Sequence, residues 1–71
     1  MAAVTYTKGD WHAEADIQTA ANGKYQGIVL IAREGGSETE ERQYMVEAIS
    51  NTPREALDEA MALAHRLLSE R

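Results

Sequence analysis

The stretch from Asn51 to Leu68, NTPREALDEAMALAHRLL, most narrowly limits what this chain can become, because it carries both a specified helix start and a helical apolar stripe. Thr52-Pro53-Arg54-Glu55 fits a capping box: the Thr52 hydroxyl accepts from the first-turn backbone, Glu55 reaches back, and Pro53 sits where no backbone donor is needed. At about 100° per residue, Ala56, Leu57, Ala60, Met61, Leu63, Ala64, Leu67 and Leu68 gather on one side, with charged residues filling the rest. The spacing predicts a helix over about 53–69. Its apolar side has to lie on something upstream.

Upstream, Trp11, Ala13, Ala15 and Ile17 alternate strictly with His12, Glu14, Asp16 and Gln18, the pattern of a strand with one dry face, over about 11–19. Asn22-Gly23 follows, the preferred pair for a two-residue hairpin whose central positions need positive φ. A second strand is expected over 25–33. With Asn22 and Gly23 as the turn, Ile17 falls opposite Ile28, Ala15 opposite Leu30 and Ala13 opposite Ala32, all on one face, while Val29 and Ile31 look the other way. The acidic, glycine-bearing segment Glu34 to Glu41 reads as a mobile loop, and a third strand follows over 42–50. That strand sends Tyr44, Val46 and Ala48 to the first face and Met45, Glu47 and Ile49 to the second. The expected fold is α+β: a three-stranded antiparallel meander with one C-terminal helix packed on one face, a two-layer sandwich in a single domain, 1–71. Residues 1–9 either fray or extend the first strand across a kink at Gly9.

A chain of 71 residues supports one small core and leaves little for a deep pocket. Seven Lys and Arg against twelve Asp and Glu give a formal charge of −5, which repels phosphate backbones, so no nucleic-acid partner is expected. The absence of Cys excludes disulfides, thiolate catalysis and cysteine metal sites. No apolar run approaches the roughly 18 residues of a membrane span, and MAAVTYTKGD lacks the layout of a secretory signal, so no membrane partner and a cytoplasmic location are expected.

No catalytic constellation is visible. Ser37, Ser50 and Ser69 have no positioned base, and Gly35-Gly36 opens no helix that could cradle a phosphate. His12, Glu14 and Asp16 share one side of the first strand and form the sole metal or acid-base candidate, against which stands the simpler reading of a solvated strand face. His65 is placed to serve the negative end of the helix. No cofactor and no enzymatic activity are expected.

The second sheet face is the better clue. Val29, Ile31, Met45 and Ile49 are expected to project from it with no second helix to cover them, rimmed by Glu14, Asp16 and Glu47, as a contact surface would be. The expected function is a small non-enzymatic interaction or assembly module, its partner another protein or a second copy of the chain. The competing arrangement has Val4 and Tyr6 folding over part of that patch in a monomer.

The order strand, strand, strand, helix, joined to the helix opening TPREALDEA, resembles the small domain of HicB-type antitoxins. The last helix of that family commonly begins with Thr, then Glu-Ala-Leu, then Ala one turn later, and here Thr52, Glu55, Ala56, Leu57 and Ala60 hold those places. The family usually has a Pro- and Gly-bearing motif, often with Cys, between its third strand and its helix, where this chain has Ser50-Asn51-Thr52. The resemblance implies a bacterial domain with an incomplete RNase H-like fold and no inherited active site. An antitoxin-like regulatory role is the second functional expectation, and a small-ligand or metal binder the third.

Overall fold

The computed structural model describes residues 3–35 and 38–71. Four antiparallel strands, β1 (Val4–Lys8), β2 (Trp11–Ala20), β3 (Lys24–Gly35) and β4 (Glu38–Ser50), lie in that order in one sheet, and one helix, α1 (Pro53–Ser69), crosses one face of it. The expected three-stranded meander is therefore corrected to four strands. Val4 and Tyr6 alternate with Thr5 and Thr7, a short dry-and-wet pattern of its own. Gly9, at φ 58°, takes the left-handed conformation that folds this segment back so that Lys8 pairs with Trp11 and Val4 with Ala15. The segment neither frays nor prolongs β2. Val4 and Tyr6 pack against the core on the helix side, so they do not fold over the opposite face.

The β2–β3 connection also differs from expectation, with a larger consequence. Asn22 (φ 63°) and Gly23 (φ 70°) both adopt the left-handed conformation, but Ala21 joins them in a three-residue turn and Ala20 pairs with Lys24. One added loop residue turns every β3 side chain to the other face. Ala13 lies opposite Ile31, Ala15 opposite Val29, and Ile17 opposite Gly27. β2 and β4 keep their expected faces, because the pairing of β3 with β4 shifts as well: Ile31 meets Arg42, Val29 meets Tyr44, and Ile28 meets Met45. The segment expected as a loop from Glu34 to Glu41 is largely strand, with Glu34 paired to Thr39 and Gly35 to Glu38.

The reason for this parity lies in the fit of sheet to helix. Ala56, Ala60 and Ala64 form a fully buried line of small side chains along α1, which lets the helix approach closely. Under them lie Ala13 and Ala15 of β2, so β3 has to supply the bulk, and Val29 and Ile31 are the two largest fully buried side chains among the described residues. At Gly27 the helix lies close: a Cβ there would stand 2.6 Å from the Ala56 carbonyl oxygen and 3.0 Å from the Ala60 Cβ. The opposite parity would bring Ile28 and Leu30 into this narrow gap. At its start, α1 is held by Thr52, whose Oγ1 accepts from the Glu55 N–H at 3.1 Å. At its end, Lys8 Nζ donates to the Leu68 carbonyl and an Arg71 guanidinium N–H to that of Leu67, each at 3.2 Å. His65 takes no part in this; its ring lies against Tyr6, centroids 4.2 Å apart.

Candidate interaction surface

Among the described residues, the single helix leaves one face of the sheet uncovered. Among the residues expected to form an apolar patch there, Val29 and Ile31 are 0% and 1% exposed and belong to the core under α1, which corrects that assignment. Met45 and Ile49, each 51% exposed, stand on the open face as expected. The flip of β3 exchanges the two lost members for Ile28 and Leu30, the latter 38% exposed. Ile28 pairs directly with Met45, and Leu30 lies next along the strand opposite Gln43, so the patch remains apolar with different members. Both residues were present in the run Ile28 to Ala32. What could have singled them out was Gly27: Gly27, Val29 and Ile31 alternate, and a glycine in a strand marks a close backbone approach.

Carboxylates surround the patch. Glu14 and Asp16 border Ile28 and Leu30 in a shallow cleft of about 160 Å³, and Glu41 and Glu47 flank it on β4. By strand alternation, Lys24 is the one Lys or Arg on this face among the described residues, and it donates to Asn51 Oδ1. Gln18 and Gln26 fill the far end. Gln18 donates to Gln26 at 3.3 Å, and Gln26 Nε2 donates to the Val46 carbonyl at 2.8 Å. That carbonyl lies in a bulge, where Val46, Glu47 and Ala48 stand opposite the single residue Gly27.

Other candidates are weaker. His12, Glu14 and Asp16 lie on the open face, but Asp16 Oδ1 accepts from the Ile17 N–H at 2.8 Å, and no three His, Asp or Glu among the described residues gather closely enough to hold a metal ion. At the sheet's other end the Arg71 and Arg33 guanidiniums stand 4.8 Å and 5.6 Å from the Trp11 ring centroid. The cavity beside Trp11, lined also by Glu40 and Arg42, is about 40 Å³, too small for a ligand beyond a water or a small ion. No helix of the described residues is long and apolar enough to cross a membrane.

No family model matches the chain, and no curated protein or solved structure is significantly similar to it.

Proposed function

We propose that this chain is a non-enzymatic protein-interaction module that engages a partner protein through the open sheet face. The observation that carries this reading is the grouping of Leu30, Met45 and Ile49, all large, apolar and exposed, with the partly covered Ile28 between them. Scattered exposed apolar residues need no explanation, whereas a contiguous patch with a polar rim is the usual form of a contact surface. The rim selects the partner's character. Glu14, Asp16, Glu41 and Glu47 favour a surface carrying Lys or Arg around its own apolar centre, and they set like charges against each other if two copies meet face to face.

A photo-crosslinking residue placed at position 45 in the native cell, with the same residue at position 58 as control, tests the reading. Asp58 is also exposed, but it sits on α1, across the sheet from the patch. A discrete covalent protein adduct from position 45 and none from position 58 is expected. The same adducts from both positions, or none from position 45, would overturn it.

A further inference from the structure

The open face continues around β4 into a second concavity on the helix side. α1 packs mainly on β2 and β3 and leans only lightly on β4, so an open groove of about 840 Å³ runs between that strand and the helix. Tyr44, Val46 and Ala48 form its sheet wall. Ala62, Leu63 and Leu67 supply the apolar part of its helix wall, with Glu59 and Glu70 toward the ends and Arg66 between them. On the opposite flank of the helix, where Tyr6 meets His65 and Lys8 bonds to the helix end, the concavity is smaller, about 330 Å³. β4 is an edge strand, and among the described residues nothing pairs its outer side. An edge whose backbone groups are free, running beside an apolar groove under a helix, is the geometry that accepts an added strand: main-chain bonds provide affinity and alternate side chains enter the groove.

We propose that β4 and α1 together bind an extended segment of another protein, added antiparallel or parallel along Arg42–Val46, with alternate apolar side chains entering the groove between Tyr44 and Leu63 and with Lys or Arg at its flanks. This goes beyond the interaction reading above and adds a second contact region, on the helix side of β4. Charge disfavours the nearest alternative, a second copy, in the registers centred on the Arg42–Val46 segment. Two β4 strands pairing about Tyr44 would set Glu41 of one against Glu47 of the other, twice. Pairing about Gln43 would set Glu41 against Met45 and Glu40 against Val46, which places carboxylates on apolar neighbours. The same Glu40, Glu41 and Glu47, with Glu59 and Glu70 on the helix, complement a basic strand.

Selection of random linear peptides on the intact protein, followed by amide exchange measured by NMR with the best peptide bound, tests this. Enriched sequences should alternate apolar residues with Lys or Arg, and β4 amides within Arg42–Val46 should become protected on binding. Ala62→Arg, at an exposed helix position that tolerates Arg, should weaken binding about tenfold with an unchanged melting curve. Binding that protects no β4 amide, ignores Ala62→Arg and is lost in Met45→Lys would overturn strand addition while leaving the open-face reading intact. Enrichment of acidic peptides, or tighter binding of a peptide copying residues 40–48 than of any basic one, would also overturn it.

Discussion

Gly27 carries more of the fold than its size suggests. It lies opposite Ile17 on the helix side of β3, where the Ala56 carbonyl and the Ala60 methyl leave no room for a side chain. A methyl at Gly27 would meet backbone, which cannot swing aside, so the helix start has to lift. Gly27→Ala should destabilise the protein by about 1–3 kcal/mol, read as a lower urea midpoint at unchanged slope. Alanine at Gly35, where among the described residues only the Arg33 side chain comes within 4.0 Å, meets no such obstruction and should change the midpoint far less. A Gly27→Ala protein with the parent midpoint would mean that α1 does not approach the sheet this closely.

At the scale of elements, the turn at Ala21–Gly23 decides which side of β3 is buried. Deleting Ala21 leaves Asn22-Gly23 as a two-residue turn and sends Val29 and Ile31 to the open face, with Ile28 and Leu30 driven against the alanines of α1. We expect that protein to lose its cooperative transition and the near-ultraviolet signal of Trp11, while an Asn22→Gly protein keeps both. Retention of both in the deletion would contradict the assigned pairing. The helix, its cap at Thr52 and the dry faces of β2 and β4 were legible in the sequence, because periodicity fixes a face within a single element. β1 was also written there, as Val4 and Tyr6 alternating with Thr5 and Thr7, but five residues give a weak signal beside a glycine. The side of β3 was not legible from the run Ile28 to Ala32, which is apolar at both parities. Loop length settles it, and Asn-Gly serves both a two-residue turn and the three-residue turn observed. Half of the candidate surface moved with that one residue: Met45 and Ile49 stayed, and Leu30 and Ile28 replaced Val29 and Ile31.

For the whole molecule, a core of this size supplies a net stability of only about 3–5 kcal/mol, so one charge placed inside it is enough to unfold the chain. The sheet is strongly one-sided: alanines, Val29 and Ile31 on the helix side, and an open apolar patch ringed by carboxylates on the other. The open-face patch depends on that asymmetry, since it loses Ile28 and Leu30 if β3 is turned over. The comparison of Leu30→Lys with Ile31→Lys in urea unfolding tests it most directly. Leu30→Lys should unfold cooperatively with a stability within about 1 kcal/mol of the parent, and Ile31→Lys should show no folded baseline. A folded Ile31→Lys protein beside an unfolded Leu30→Lys protein would contradict the arrangement and remove Ile28 and Leu30 from the open face.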